Sequence, residues 1–187
     1  FITTNVLGTY NLLQASLDFF NSPFVTKNFC FHHISTDEVY GSLKKNESSF
    51  NEDSKYKPNS PYSASKASSD HLVRAWQKTY NLPCVITSCT NNYGPYQHPE
   101  KFIPVVILSG ILKKSIPIYG KGNNIRDWIY VEDHVDALMT IIEKNIINKN
   151  YLIGSNNEKQ NIETVDLICD VLDHLSDNNY SHNILKT

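Results

Sequence analysis

Two kinds of apolar pattern alternate along the chain: residues recurring every three to four positions, and short unbroken runs. In residues 3–20, Val6, Tyr10, Leu13 and Leu17 recur at helical spacing, and Pro23 ends any continuation. Residues 29–35 form a short apolar and aromatic run that reads as a buried strand. Residues 41–60 are polar, charged and proline-containing, which predicts a long connection of the kind that often carries function. A second helix is predicted over 62–80, with Pro61 where it begins and Leu72, Trp76 and Tyr80 in one line. Pro83 separates it from a second buried strand over 84–88, and Asn91-Asn92-Tyr93-Gly94-Pro95 reads as a loop at that strand's end. Farther on, the pattern predicts a helix over 102–114 with Pro104 in its first turn, a short strand over 116–119 and a turn at Gly120 and Gly122. An extended segment follows over 127–131, then a helix from Asp133 to about Ile147 and a brief strand over 151–153. Asn161 reads as the N-cap of a last helix, with Ile162, Val165, Ile168 and Leu172 along one face.

Helices alternating with short, continuously apolar strands argue for an α/β fold, a parallel sheet covered by helices. In such sheets ligands sit beyond the carboxyl ends of the strands. Two polar clusters fall at those predicted ends, residues 35–40 and 89–93.

Composition narrows the picture. The 187 residues suffice for one domain with a buried core and part of a second. A hydrophobic fraction of 40% and a charged fraction of 19% suit a globular chain. The net charge of −2 gives no global field to draw in nucleic acid, so no nucleic-acid partner is expected. The longest apolar candidate, residues 102–112, is broken by Pro104, Ser109 and Gly110, so no membrane span is expected. The chain opens on Phe1 with no signal-peptide pattern. Cys30, Cys84, Cys89 and Cys169 form no CxxC pair and read as small buried residues in a reducing, cytoplasmic setting. His32, His33, His71, His98 and His134 lack metal-ligand spacing, so no metal is expected. Two sequons, at Asn46 and Asn179, read as accidental in an Asn-rich chain.

Three groups of residues carry candidate chemistry. Tyr62 and Lys66 are four apart on one helix face, where an ammonium near the phenol favours phenolate, a base for an alcohol proton. A surface tyrosine beside a solvated lysine is the alternative; the position between two buried strands favours the chemistry. Thr36, Asp37 and Glu38 follow the first strand: a hydroxyl to bind a substrate hydroxyl, and two adjacent carboxyls suited to acid–base work. A capping aspartate beside a solvated glutamate is the other reading of that pair. Asn91, Lys101, Arg126 and Asn161 form an amide and basic set, with Arg126 able to grip a phosphate bidentately. Arg126 paired with Asp127 is the structural alternative.

The stretches HHISTDEVYG (32–41), SPYSASKASSDHLVRAW (60–76), NNYGPYQHPEKFIP (91–104), YGKGNNIRDWIYVEDHVDAL (119–138) and IGSNNEKQNI (153–162) resemble the extended short-chain dehydrogenases/reductases that act on nucleotide sugars. The resemblance covers nearly the whole chain. The Asp-Glu pair points to the 4,6-dehydratase branch, since epimerases usually lack it, although relatives that dehydrate GDP-mannose also carry a carboxylate there. The resemblance implies a Rossmann-like doubly wound fold, with residues 1–95 forming part of an NAD-binding domain. Residues 96–187 would hold part of a sugar-nucleotide-binding domain, interleaved with Rossmann elements near 116–150. It implies NAD as cofactor, dTDP-glucose as substrate and a homodimer built partly from the helices over 3–20 and 62–80. Its product would feed deoxysugar synthesis such as that of rhamnose.

By the same resemblance Tyr62 deprotonates the sugar 4-hydroxyl, Lys66 lowers the Tyr62 pKa and holds the nicotinamide ribose, and Thr36 binds the reacting hydroxyl. Glu38 removes the C5 proton and Asp37 protonates the departing C6 hydroxyl. Asn5, Ser35, Tyr62, Lys66, Cys89 and Asn92 fall where the family contacts NAD, and Asn91, Lys101, Arg126 and Asn161 where it contacts the nucleotide and diphosphate. The family's glycine-rich pyrophosphate turn is absent from this sequence, which implies an internal piece of a protein near twice its size. Other nucleotide-sugar dehydratases, epimerases or decarboxylases of the same fold, and a non-catalytic sugar-nucleotide-binding protein, are the alternatives.

Overall fold

The run Cys84–Cys89 is apolar or small at every position and is buried at every position, which suits a strand covered on both faces. It is β2, the middle strand of a three-stranded parallel sheet in the order β1-β2-β5, with β1 at Phe31–Thr36 and β5 at Lys149–Ile153. This computed structural model describes residues 1–43, 47–176 and 186, so the sequons at Asn46 and Asn179 lie outside the described residues.

The sheet belongs to the first of two compact units, made of Phe1–Thr90 and Asp133–Ile153. The helix expected over 3–20 begins as a π-helical turn, Ile2–Leu7, and continues as α1, Gly8–Phe20. α2 spans Pro61–Tyr80, with Pro61 in its first turn and a capping box between Ser60 and Ser63 that satisfies two otherwise unpaired backbone donors. Leu13 and Leu17 of α1, Val73 of α2, and Leu82, Cys84 and Ile86 form the core. Burial pushes the Cys84 thiol up to about 12, so it behaves as an apolar side chain. The expected helix from Asp133 to Ile147 runs instead over Val131–Glu143 as α4, and the left-handed Asn145 follows its end.

The second unit comprises Asn91–Glu132 and Gly154–Thr187. Its sheet has the order β3-β4-β6, with β3 at Asn91–Tyr93, β4 at Ile125–Tyr130 and β6 at Glu158–Gln160. β3 runs parallel to β4 and β6 antiparallel to it. α3 (Phe102–Ile111) and α5 (Asn161–Leu175) enclose Val106, Ile116, Val165 and Cys169.

Several sequence expectations shift here. β3 forms where a loop was expected, because β4 supplies its partner. The strand expected over 116–119 reduces to one bridge, Ile116 to Lys186; Pro117 has no N–H to extend a ladder. α3 stops at Ile111, two residues before the left-handed Lys113. The cap of α5 is Gln160, reciprocally bonded with Glu163, and Asn161 is the first helical residue.

A 3-10 turn, Asp37–Tyr40, follows β1 and ends at Gly41 with φ 94°. A Cβ at Gly41 would overlap the Lys57 carbonyl oxygen, so both the dihedral and the space require glycine. Gly41→Ala should therefore destabilise the protein by about 1–3 kcal/mol in a urea titration, and a change below half a unit would show that the turn relaxes freely.

Candidate active site

β1 and β2 are parallel and in register, so their last residues, Thr36 and Cys89, are direct partners at the carboxyl edge of the sheet. Thr36 stays extended and caps the 3-10 turn: its Oγ1 accepts from the Glu38 amide at 3.3 Å and donates toward Asp37 Oδ1 at 3.4 Å. Asp37 and Glu38 therefore sit side by side in the turn's first residues, both half-buried. Val39 and Tyr40 anchor the turn from below, Val39 fully buried and Tyr40 packed edge-on to Tyr56 at 5.1 Å between ring centres.

α2 brings Tyr62 and Lys66 to the same edge. Burial first, then the charges of Glu38, Cys89 and Asp37, push the Tyr62 phenol above its ordinary range. The net direction differs from the expected lowering by Lys66. That lysine is half-buried and donates from Nζ to the Ile34 carbonyl at 2.7 Å. Burial lowers the Lys66 pKa, with Asp70 and Cys89 opposing the fall. The ammonium keeps two further N–H donors beyond the Ile34 bond, a donor set that fits the hydroxyls of a cofactor ribose.

The other expected cofactor contacts divide. Ser35 is buried; its Oγ donates to Asp70 Oδ2 at 2.9 Å, and its carbonyl faces Cys89 Sγ at 3.9 Å. Asn5 is engaged with α2: its amide donates to Ser65 Oγ at 2.9 Å and its carbonyl accepts from Ser69 Oγ at 2.5 Å. Asn92 lies on β3, where its carbonyl accepts from Gln97 Nε2 at 2.9 Å.

In the second unit Asn91 opens β3, the exposed Lys101 caps α3, the exposed Arg126 stands on β4 opposite Lys159, and Asn161 opens α5. The Asn161 amide donates to the Asn124 carbonyl at 2.9 Å, and that of Ile162 to Gly122 at 3.1 Å. Arg126 does not depend on its neighbour Asp127, as the structural alternative supposed: no ion pair of Arg126 occurs among the described residues. The Asp127 carboxylate instead gathers the Ser155 amide at 2.9 Å, the Ser155 hydroxyl at 2.8 Å and the Asn157 amide at 2.7 Å. A 490 Å³ pocket in this unit is lined by Asn92, Tyr93, Gly94, Tyr96 and Val131 among others, and includes none of Thr36, Glu38, Tyr62 and Lys66.

Residues that the sequence reading passed over matter at this edge. Asp70 is fully buried and binds Ser35; its signal was present, since it repeats the four-residue spacing of Tyr62 and Lys66. Arg74 continues the same spacing, whereas Tyr56, through which it backs Asp70, carried no such signal.

The sequence pattern of the family described as GDP-mannose 4,6 dehydratase matches residues 1–184. The chain belongs to that family. It is 54% identical to dTDP-glucose 4,6-dehydratase of Escherichia coli, over 94% of this chain and 51% of the relative. Among solved structures it resembles dTDP-glucose 4,6-dehydratase of Bacillus anthracis in complex with NAD, with a TM-score of 0.85 and 45% identity over 92% of this chain and 53% of that one. It also resembles UDP-glucuronic acid 4-epimerase of Bacillus cereus in complex with UDP-glucuronic acid and NAD, with a TM-score of 0.82 and 28% identity over 100% of this chain and 55% of that one. The family's α/β, Rossmann-like parallel sheet is thus the one built here from β1, β2 and β5. The chain spans about half the length of the curated relatives it matches.

The Asp127 knot yields a test that needs no ligand. Asp127→Asn takes a charged acceptor from three donors and should cost about 1–3 kcal/mol, with faster hydrogen exchange at the Ser155 and Asn157 amides. Unchanged exchange there would show that the turn is held by other contacts.

Proposed function

We propose that the whole protein is an NAD-dependent dTDP-glucose 4,6-dehydratase, a hydro-lyase that converts dTDP-glucose to dTDP-4-dehydro-6-deoxy-glucose and water. The observation that carries this reading is the adjacent Asp37–Glu38 pair, fixed by the Thr36 cap, close enough for both charges to act on the Tyr62 phenol. Two carboxyls beside a phenol supply the extra acid and base that dehydration requires and a simple alcohol oxidation does not.

In this reading Tyr62 takes the proton of the sugar 4-hydroxyl, which Thr36 holds through its own hydroxyl. Glu38 removes the C5 proton, Asp37 protonates the C6 hydroxyl as it leaves as water, and Glu38 gives its proton back to C5 when hydride returns to C6. NAD, when bound, supplies the hydride acceptor at C4 and the hydride donor at C6, and ends each turnover as it began. Lys66, Ser35, Cys89, Asn92 and Asn5 are the proposed cofactor contacts, with Asn5 acting from a position already tied to Ser65. Asn91, Lys101, Arg126 and Asn161 are the proposed contacts to the nucleotide and diphosphate. All the proposed cofactor contacts but Asn92 belong to the first unit, with the groups that act on the sugar, and the proposed nucleotide and diphosphate contacts belong to the second. We further read the protein as a cytoplasmic homodimer that uses α1 and α2, whose Leu12, Phe19 and Tyr80 are exposed apolar side chains, and its product as feeding deoxysugar synthesis such as that of rhamnose.

A mass-resolved turnover assay on the whole protein, with dTDP-glucose and UDP-glucose in parallel, tests this. Water loss from dTDP-glucose alone, without net NADH, is expected; no water loss from either sugar in a protein that binds NAD would sink the reading. A second test uses pH. Tyr62 has its pKa raised, so its base form appears only as pH climbs, and removing the Glu38 charge brings it back down. Glu38→Gln should therefore stop water loss while NADH formation from dTDP-glucose persists and begins at lower pH than in the unaltered protein. An onset at equal or higher pH would contradict the Tyr62 assignment.

A further inference from the structure

Asp70 is a charged side chain with no exposure at all, in the middle of α2. A carboxylate there loses its water, and an apolar residue of similar size would fill the place at lower cost. What it gains is a set of directed contacts. Oδ2 accepts from Ser35 Oγ at 2.9 Å and from the Tyr56 hydroxyl at 2.8 Å. Oδ1 lies 3.0 Å from His33 Nε2, at ion-pair distance but without the alignment of a hydrogen bond. Tyr56 is itself held: Arg74 Nη2 donates to its hydroxyl at 3.0 Å, and the guanidinium lies over its ring at 4.8 Å. The tyrosine thus reaches Asp70 backed by a cation.

The placement of these contacts says what they hold. Lys66 bonds the Ile34 carbonyl, and Asp70, one turn farther along α2, bonds Ser35, the next residue of β1. Two ties about 6 Å apart on the helix grip two successive strand residues, which prevents α2 from sliding or turning on β1. Thr36 is the following strand residue, and Tyr62 lies one turn from Lys66 in the opposite direction. We propose that Asp70, clamped by Tyr56 and Arg74, is a positioning residue that sets the register of α2 on β1 and so aims Tyr62 and Lys66 at the reacting hydroxyl. This deepens the dehydratase reading and rests on it. The titratable groups that act on the Lys66 ammonium are Asp70 from its own helix and Cys89 from β2, and Asp37, Glu38 and Cys89 act on Tyr62.

Asp70→Asn and Tyr56→Phe, singly and combined in the whole protein, test the proposal. Tyr56→Phe removes only a hydroxyl at the edge of the network and keeps the test alive if Asp70→Asn fails to fold. Misplacing reacting groups by about 1 Å costs on the order of 100-fold, so Asp70→Asn should lower kcat by about 10- to 100-fold with KM changed by less than about threefold. Tyr56→Phe should lower kcat by about 3- to 10-fold, and the double variant should be no slower than Asp70→Asn, because Tyr56 acts through Asp70. A readout independent of turnover is the pH at which Lys66 becomes reactive toward an amine-acylating reagent, followed by peptide mass spectrometry. Asp70 supports the charged lysine, so this midpoint should move to lower pH in Asp70→Asn. An unchanged kcat in a folded variant, losses that multiply in the double variant, or an unmoved Lys66 midpoint would each overturn the proposal. Absence of turnover in the unaltered protein would count against the dehydratase reading, while the Lys66 midpoint would still decide the role of Asp70.

Discussion

The chemistry at the sheet edge depends on how closely α2 lies against the elements beneath it. Of its buried residues, Ser63, Ser65, Ala67 and Ser69, beside Asp70 and Val73, have side chains too small to hold a helix away from its neighbours. Each buried hydroxyl is satisfied locally: Ser65 by the Tyr62 carbonyl at 2.7 Å, Ser69 by those of Ser65 and Asn5. Serine in a helix interior usually weakens the helix, because it competes for backbone partners. Here that competition serves packing, since the same hydroxyls tie the opening π-helical turn to α2. Close approach in turn lets a lysine of moderate reach bond a strand carbonyl and keeps a tyrosine beside two carboxyls.

Electrostatics at this edge runs against the simplest idea of an activated phenol. Negative neighbours and burial make Tyr62 a stronger base but a rarer one, because its ionised form is disfavoured. A strong base suits removal of a proton from an alcohol, provided a positive group is at hand when the proton moves. Lys66 is that group in sequence, yet its charge is weakened by burial and supported chiefly by Asp70. The ammonium and the buried carboxylate are thus coupled along one helix face, while the phenol on that face answers to Glu38 and Asp37.

Much of this was legible in the sequence where a residue's pattern carried its own physical reason. The strand Cys84–Cys89 is apolar or small throughout, Phe31–Thr36 continues an aromatic and apolar stretch that begins at Phe29, and α2 opens on a proline after a serine cap. The cluster of Thr36, Asp37, Glu38, Tyr62 and Lys66 followed from strand ends and a four-residue spacing. What escaped was set by partners distant in sequence. β3 and β6 are three-residue strands of mostly polar composition that exist because β4 lies between them. Ile116 looked like a strand residue because it is apolar, and it is apolar because it packs on Val106 and Val165. Gln160 takes the cap of α5 from Asn161 because Glu163 answers it three residues on. Asp70 was overlooked because a charged residue within a helix is, on composition alone, a solvent-facing one.

The parallel pairing of β1 and β2 bears on how this protein can diverge. Thr36 and Cys89 face each other only because six residues of each strand pair without slippage, Phe31 with Cys84 at one end and Thr36 with Cys89 at the other. One residue added to or lost from either strand would move the edge by about 3.3 Å and reverse which side chains point up. No strand pairing runs through the described residues 47–55, which lie between the turn at Gly41 and Tyr56. Length changes among descendants of this sequence should accumulate in that connection, while the strands keep their residue count even where their side chains drift.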